Sequence, residues 1–258
     1  MRIWHKGWRL VGLCLATLFL AGCLRPATAP LAALTYGDMH AHQHKNLLVL
    51  LRGMGSNHEI FAREGIIDEI RRRQLPFDIV APDLHFGYYR AQNLEERLKA
   101  DIIDPYRRQG YEHIWLAGFS MGGLGSLFYL RSYPEDVDGA LLISPFIGWD
   151  RIIDEIEAAG GVGQWRKTGN DTDDWQRLLW TWIKAYAADP DAYPPVFLGY
   201  GAEDDTVDGG PRLLATVLPA ERVLVIPGEH DIPTFKTIFF RQLEEMTRTL
   251  PLTAKALE

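Results

Sequence analysis

The sequence predicts an α/β fold: a mostly parallel, twisted sheet with helices on both faces. Short apolar runs typical of buried strands alternate along the chain with longer segments of helical periodicity. The runs end in polar or glycine-containing loops, and functional groups of such sheets lie at the carboxyl ends of the strands. The predicted strands are residues 47–51, 77–81, 113–117, 139–144, 196–200 and 222–226.

The first part of the chain is predicted to contain a buried strand and two helices. Residues 47–51 form a continuous apolar run, as in a strand that is buried on both faces. Residues 58–73 are predicted to be a helix, because three isoleucines recur there at helical spacing. A second helix is expected over 94–108. Pro105 should kink or interrupt it, because proline lacks a backbone donor and crowds the preceding turn.

A five-residue motif lies between a predicted strand and a predicted helix. Residues 118–122 read Gly-Phe-Ser-Met-Gly, which fits the G-x-S-x-G pattern of a nucleophile elbow. The two glycines let the backbone bend sharply and let the helix approach the strand. The turn would expose the hydroxyl of Ser120. Ser120 is therefore the candidate nucleophile, and the alternative is an ordinary strand-to-helix turn.

A glycine-rich loop follows the strand at 47–51. Residues 52–56 read Arg-Gly-Met-Gly-Ser. Acyl transfer needs two backbone N–H groups aimed at the developing oxyanion, one from the residue after the nucleophile and one from an early loop. We assign these donors to Met121 and Met54, with Gly53 as the alternative to Met54. The loop could instead serve only to begin a helix.

A candidate acid and base follow later strands. Residues 201–207 read Gly-Ala-Glu-Asp-Asp-Thr-Val, and His230 comes after the last predicted strand. A carboxylate in the first loop can orient an imidazole from the second. Asp205 and Asp208 could instead cap a helix, and His230 could be an ordinary loop histidine.

With these motifs, residues 45–250 resemble the α/β-hydrolase superfamily, in its serine esterase and lipase branch. The G-x-x-D-x-x-V pattern of that family falls on Gly201, Asp204 and Val207, which favours Asp204 as the acid. The resemblance implies that Ser120 attacks the substrate carbonyl, His230 transfers the proton and Asp204 orients His230. The chain departs from the family by having Arg52 where many relatives have histidine. Its short polar sequence before Leu47 also predicts reduced or missing first strands.

Predicted strands and helices stop alternating in the segment 146–194, where the resemblance implies a helical cap over the nucleophile. Two helices are expected there, and five of the eight tryptophans lie within it. Trp149 is a candidate for the substrate pocket, although most of these tryptophans should pack the cap onto the body. Tyr88 is a second pocket candidate. It lies with Asp83 in a segment that otherwise reads as a surface loop.

The amino terminus has the pattern of a secretion signal. A basic segment at 1–9 precedes an apolar run at 10–20, which is too short for a transmembrane helix, and residues 20–23 read Leu-Ala-Gly-Cys. The last four resemble a bacterial lipobox, which implies cleavage after residue 22 and lipid on Cys23. We therefore expect a signal peptide at 1–22, a tether at 23–34 and one hydrolase domain at 35–258. Because Leu24 and not aspartate follows the cysteine, the resemblance implies the outer membrane, facing the periplasm.

The charge balance excludes some partners. The chain has 27 basic and 34 acidic residues, and removal of the signal peptide leaves 24 and 34, a net charge of −10. An acidic chain without basic runs is a poor candidate for binding nucleic acid. His40, His42 and His44 alternate, which on a strand would place three potential metal ligands on one face, but no acid or cysteine completes the set. We expect neither a metal nor a cofactor.

The sequence thus predicts a lipid-anchored serine hydrolase that cleaves carboxylic esters, with a small or lipid-like ester as its substrate. A peptidase, a thioesterase or an acyltransferase could use the same three residues. A non-catalytic envelope lipoprotein that retains the fold as a binding module is the alternative from another class.

Overall fold

The computed structural model describes residues 25–37, 45–168, 174–207 and 209–249. Seven strands form one sheet in the order β1-β3-β2-β4-β5-β6-β7. Only β1 runs antiparallel to its neighbour, while the other six strands are parallel. The strands are β1 Ala33–Tyr36, β2 Asn46–Leu51, β3 Asp78–Pro82, β4 His113–Phe119, β5 Gly139–Ile143, β6 Val196–Gly201 and β7 Val223–Ile226.

Helices cover both faces of this sheet, and two separate hydrophobic clusters lie between the sheet and its two helical layers. The predicted fold class, a mostly parallel sheet with helices on both faces, is confirmed. The α-helices are α1 Ile60–Arg63, α2 Ile66–Arg72, α3 Phe86–Arg90, α4 Leu94–Leu98, α5 Asp104–Arg108, α6 Met121–Ser132, α7 Asp150–Ala158, α8 Trp175–Ala188, α9 Gly210–Ala215 and α10 Ile232–Thr249.

Two predicted helices differ in detail from the expectation. The segment 58–73 is divided between α1 and α2 by Gly65, which has a φ of +71° that an α-helix cannot accommodate. The segment 94–108 stays helical throughout but passes through a π-helical turn, Lys99–Ile103, before α5. Pro105 lies in the first turn of α5, directly after this π-helical turn.

The described part of the predicted tether is packed against the body. Strand β1 begins at Ala33, two residues before the expected domain start, and pairs with β3 from Ala33 to Tyr36. Leu31 is buried, and its N–H donates to the carboxylate of Asp101 at 2.8 Å. Residues 25–34 therefore differ from a free tether, and the sheet gains an antiparallel edge strand that the sequence did not predict.

Helices α7 and α8 occupy the segment 146–194, where we expected a cap. Trp165 and Trp180 are buried there, and the indole N–H of Trp180 donates to the carbonyl of Ile147 at 3.0 Å. These two tryptophans therefore pack the insertion onto the body. Trp149, by contrast, is exposed at the start of α7.

Some predictions fall outside the described residues: the signal peptide at 1–22, Cys23, Asp208 and the histidines at positions 40, 42 and 44. None of the helices in the described part of the chain combines the length and hydrophobicity that a membrane span requires. Across the same residues, no three His, Cys, Asp or Glu side chains are grouped as metal ligands would be.

Candidate active site

Ser120 lies at the sharp turn between β4 and α6. Its φ of 53° and ψ of −116° fall outside the regions that L residues favour, and such a conformation costs about 1–3 kcal/mol unless its surroundings impose it. The surroundings do so by close packing. A Cβ on Gly118 would lie 2.3 Å from the carbonyl oxygen of Gly122, and a Cβ on Gly122 would lie 2.1 Å from that of Leu51. Both glycines of the motif are therefore required by the geometry of the turn.

The structure brings the three predicted residues of the catalytic site into one hydrogen-bonded chain. The hydroxyl of Ser120 lies 3.0 Å from Nε2 of His230, and Nδ1 of His230 lies 2.8 Å from Oδ2 of Asp204. They come from the ends of β4, β7 and β6, which meet at the carboxyl edge of the parallel sheet. With a proton on Nδ1 facing Asp204, Nε2 is free to accept the proton of Ser120.

Of the two adjacent aspartates after β6, Asp204 is the one whose carboxylate faces His230. It is buried, whereas Asp205 beside it is exposed, and the other oxygen of the Asp204 carboxylate accepts from the N–H of Thr206 at 3.1 Å. Burial raises the pKa of Asp204, but the hydrogen bonds that its carboxylate accepts, that from His230 first, act together with the charge of His230 to hold this pKa below its ordinary value. The carboxylate is thus kept ionised and fixed against the imidazole.

The two predicted oxyanion donors lie beside the nucleophile. Met121 is the first residue of α6, so its N–H has no acceptor within the helix. Gly53 is close to the serine: a Cβ on it would lie 3.3 Å from Cβ of Ser120. In the described part of the chain, the N–H of Met54 donates to no other group. The Met54 and Met121 N–H groups are therefore both available to a substrate oxygen.

The peptide between Gly53 and Met54 is held by its carbonyl oxygen. That oxygen accepts from Nη1 of Arg52 at 3.1 Å and from the hydroxyl of Ser56 at 3.0 Å. In a planar trans peptide the C=O and N–H point in opposite directions, so fixing the oxygen also fixes the N–H of Met54. Arg52, noted from the sequence only as a departure from the family, is the side chain that orients this peptide.

Arg52 is held in turn by a buried carboxylate. Its Nε donates to Oδ1 of Asp83 at 3.2 Å, and Nη1 of Arg25 donates to Oδ2 of Asp83 at 2.5 Å. Burial raises the pKa of Asp83, but the charges of Arg52 and Arg25 act together with the hydrogen bond from Arg25 to hold this pKa below its ordinary value. The segment around Asp83 is therefore buried rather than a surface loop. The position of Asp83 at a strand end was the one sequence signal for this network.

Tyr89, whose contact with α6 has no signature in the sequence, fixes the start of that helix. The hydroxyl of Tyr89 donates to the carbonyl of Met121 at 2.8 Å. Burial raises the pKa of Tyr89 well above its ordinary value, so the hydroxyl stays protonated and remains a donor. No motif marks Tyr89, because its role depends on α3 packing against α6.

The two predicted pocket residues, Trp149 and Tyr88, differ in their exposure. Trp149 packs edge-on against Phe146 with ring centroids 4.7 Å apart, and the N–H of Phe146 donates to the carbonyl of Ser120 at 3.1 Å. Trp149 is therefore linked to the nucleophile turn only through Phe146, and its side chain is largely exposed. Tyr88 is fully covered, and its hydroxyl donates to the carbonyl of Thr28 at 3.0 Å. Contrary to the prediction, Tyr88 presents no surface to a substrate and instead fastens the amino-terminal segment.

Comparisons with known proteins agree with the observed fold. The family model of the alpha/beta hydrolase fold matches residues 46–159, which contain the Gly53 loop and Ser120. The chain has the α/β-hydrolase fold. A search of curated proteins finds no match to the sequence.

Solved structures with little sequence similarity superpose on most of the chain. S-formylglutathione hydrolase from Staphylococcus aureus superposes with a TM-score of 0.56 at 14% identity, covering 86% of this chain and 98% of its own. Est1E from Butyrivibrio proteoclasticus gives 0.54 at 14% identity, covering 84% and 92%. A monoacylglycerol lipase from Paleococcus ferrophilus gives 0.52 at 16% identity, covering 84% and 98%. At these identities the likeness establishes the α/β-hydrolase fold and leaves the activity to the site.

Proposed function

We propose that this protein is a serine hydrolase that cleaves carboxylic esters through an acyl-enzyme. The observation that carries the proposal is the continuous chain from Ser120 through His230 to the buried carboxylate of Asp204, with separations of 3.0 and 2.8 Å. A strained serine at a helix start, within reach of an imidazole whose other nitrogen faces a buried acid, is the arrangement that activates a hydroxyl as a nucleophile.

Each step of the reaction has a residue to perform it. His230 takes the proton of Ser120 as its oxygen attacks the ester carbonyl, and the N–H groups of Met54 and Met121 stabilise the resulting oxyanion. His230 then gives the proton to the departing alcohol, which leaves an acyl group on Ser120. Water, deprotonated by His230, attacks this acyl group, and collapse of the second oxyanion releases the acid and restores Ser120. Asp204 stabilises the imidazolium that forms in each half-reaction.

Solved structures of similar fold support an ester as the substrate. Two such structures are described as a monoacylglycerol lipase and a ferulic acid esterase. Peptidase, thioesterase and acyltransferase activities would use the same groups, and no feature of this site favours them over ester cleavage.

We also propose that the mature protein is a lipoprotein of the bacterial envelope. The lipobox-like sequence at 20–23 is the basis, with lipid on Cys23 and the domain facing the periplasm from the outer membrane. Stable anchoring needs more than one acyl chain, as a mature lipoprotein would carry.

A fluorophosphonate probe tests the catalytic proposal directly. Wild type should be labelled, and Ser120→Ala should not be. Ser132→Ala is the matched control because Ser132 is an exposed serine at the far end of the same helix, α6, and this variant should label like wild type. A folded wild-type protein that resists labelling would favour the binding module. A series of p-nitrophenyl esters of increasing chain length would then define the acyl preference.

A further inference from the structure

The amino-terminal segment of the described chain is fastened to the catalytic edge of the sheet. Arg25 donates to Asp83, which directly follows β3, and the hydroxyl of Tyr88 in α3 bonds to Thr28. The carbonyl oxygen of Arg25 approaches α3 so closely that a Cβ on Gly87 would lie 2.2 Å from it. Arg25 therefore has a defined place beside the carboxyl end of β3, the edge that also carries Ser120.

This placement fixes where a lipid anchor would begin. Two peptide units separate Arg25 from Cys23, and two residues of extended chain span at most about 7 Å. A lipid on Cys23 would therefore leave the protein at the catalytic edge, with almost no slack between the bilayer and the folded domain.

Exposed apolar side chains are concentrated at the same edge. Three large hydrophobic residues are conspicuously exposed in the described chain: Met54 at 53%, Trp149 at 57% and Val225 at 47%. Met54 follows the loop that contacts Ser120, and Trp149 packs on Phe146 beside Ser120. Two of the three thus belong to segments that contact Ser120, and the third lies on the edge strand β7 at the other side of the sheet.

The charges along this edge are distributed unevenly. Arg25 lies at the β3 side, whereas four exposed carboxylates follow β6 and β7: Glu203, Asp205, Glu229 and Asp231. The acidic side would be repelled by anionic lipid headgroups, and the side with Arg25 and Met54 would not. The edge therefore has one end suited to a lipid surface.

We propose that the anchor holds the catalytic edge against the bilayer, with its Met54 side nearest the lipid, so that the substrate is a membrane-resident acyl ester. The inference rests on the proposed esterase activity and on lipidation of Cys23. In this orientation an ester bond at the headgroup level reaches Ser120 while its acyl chain remains partly in the membrane. The short connection between Cys23 and Arg25 is what enforces the orientation.

A spacer tests the orientation through activity. A flexible Gly-Ser segment of ~20 residues inserted between Leu24 and Arg25 adds about 25 Å of mean reach, and it leaves the lipobox and the docked segment intact. Wild type and the spacer variant are reconstituted in phosphatidylcholine vesicles. A long-chain acylglycerol within the bilayer should be hydrolysed roughly tenfold or more slowly by the spacer variant, since the tether sets the effective concentration of the site at the surface. A soluble short-chain p-nitrophenyl ester should be hydrolysed equally by both.

The outcomes separate the two proposals. If wild type hydrolyses neither ester, the proposed esterase activity fails. If wild type hydrolyses both esters and the spacer changes neither rate, the esterase activity stands and the orientation is overturned.

A second measurement does not depend on activity. Mature protein with lipid on Cys23 has no other cysteine, so Met54→Cys and Val225→Cys each offer one free thiol for an environment-sensitive dye. Met54 and Val225 are similarly exposed, which makes them a matched pair. On transfer to vesicles, the dye at position 54 should report an apolar environment and the dye at position 225 should stay aqueous. Equal responses at the two positions, or no response at position 54, would overturn the proposal.

Discussion

Asp204 and Asp205 are adjacent carboxylates with different surroundings. Asp204 is buried against His230, whereas Asp205 is exposed to solvent. Of these two carboxylates, Asp204 is the one placed to hold the imidazole in the tautomer that accepts the proton of Ser120. We therefore expect Asp204→Asn to lower kcat by roughly 10⁴-fold, the scale seen when the orienting acid of such a triad is lost. Asp205→Asn should stay within a few-fold of wild type.

Steady-state hydrolysis of a p-nitrophenyl ester checks this pair, with circular dichroism to establish that both variants fold. If Asp205→Asn lost activity and Asp204→Asn kept it, the imidazole of His230 would be oriented by Asp205 instead of Asp204. Asp208, the third aspartate of this loop, lies outside the described residues, so Asp208→Asn serves as a further comparison.

We expect Arg52 to support catalysis indirectly, because it binds the Gly53 carbonyl and so orients the N–H of Met54. A lysine retains the charge but lacks the planar guanidinium that reaches Asp83 and the Gly53 carbonyl at once. Arg52→Lys should therefore lower kcat by roughly 10- to 100-fold with little change in KM, because an oxyanion donor acts in the transition state. Affinity for a boronic acid that mimics the tetrahedral intermediate should fall in parallel.

Arg63→Lys is the control for this change, since Arg63 is exposed and pairs only with Glu64 nearby. A urea unfolding curve separates loss of stability from loss of catalysis, because weakening a buried ion pair also costs stability. An Arg52→Lys variant that loses stability but keeps wild-type kcat would assign Arg52 a purely structural role.

At the scale of elements, the nucleophile elbow depends on how closely α6 approaches β2. A Cβ on Gly122 would lie 2.1 Å from the carbonyl oxygen of Leu51, which is rigid backbone. Gly122→Ala should therefore destabilise the protein by about 1–3 kcal/mol or more, the usual cost of overpacking. It should also lower activity, because α6 carries Ser120 and the N–H of Met121.

Thermal unfolding measures this effect, and Gly163→Ala is the control, because nothing lies within 4 Å of its added Cβ. In a domain of this size about 1 kcal/mol corresponds to a shift in Tm of roughly 2–4 °C. Equal Tm values for the two variants would show that α6 can move away from β2 without cost.

The elements that were predicted well are those with a strong local pattern. The parallel strands are continuous apolar runs, and the G-x-S-x-G motif marks the strand-to-helix turn by composition alone. Strand β1 was missed because its four residues alternate between exposed and half-buried and gain their place only by pairing with β3. The π-turn before α5 also has no local signature, because proline at this position was compatible with either a kink or a new helical start.

In the candidate site too, the residues with a local sequence motif were predicted, and those that depend on tertiary contacts were not. Ser120, Asp204 and His230 follow motifs with fixed spacing or chain order, so the sequence predicted them as a set. The roles of Arg52, Asp83 and Arg25 could not be predicted, because the three residues are separated in the chain and meet only after β2 and β3 pair and the amino-terminal segment docks. Tyr88 was misassigned for a related reason: its place at a strand end suggested a pocket, but the docked segment covers it.

At the scale of the whole molecule, the anchor and the catalytic domain are separate in chemistry. Cys23→Ser should abolish lipidation while sparing hydrolysis of a soluble ester by exported, folded protein, because Ser120, Asp204 and His230 all belong to the folded domain. Incorporation of radiolabelled palmitate, followed by membrane fractionation, checks this expectation. Wild type should be labelled and sediment with membranes, because several acyl chains give stable binding where one does not.

The unlipidated variant should no longer sediment with membranes, because the acyl chains supply the proposed anchoring and the acidic net charge of the chain does not favour anionic lipid. The exposed side chains of Met54 and Trp149 are too few to hold the domain at a membrane by themselves, since each buried apolar side chain contributes only about 1.5–3 kcal/mol. They should instead orient a domain that the lipid has already brought to the surface. If Cys23→Ser sediments like wild type, then either the signal segment is retained as an anchor or the catalytic edge binds lipid directly. The mass of the amino-terminal peptide distinguishes these two cases, since a retained signal adds residues 1–22.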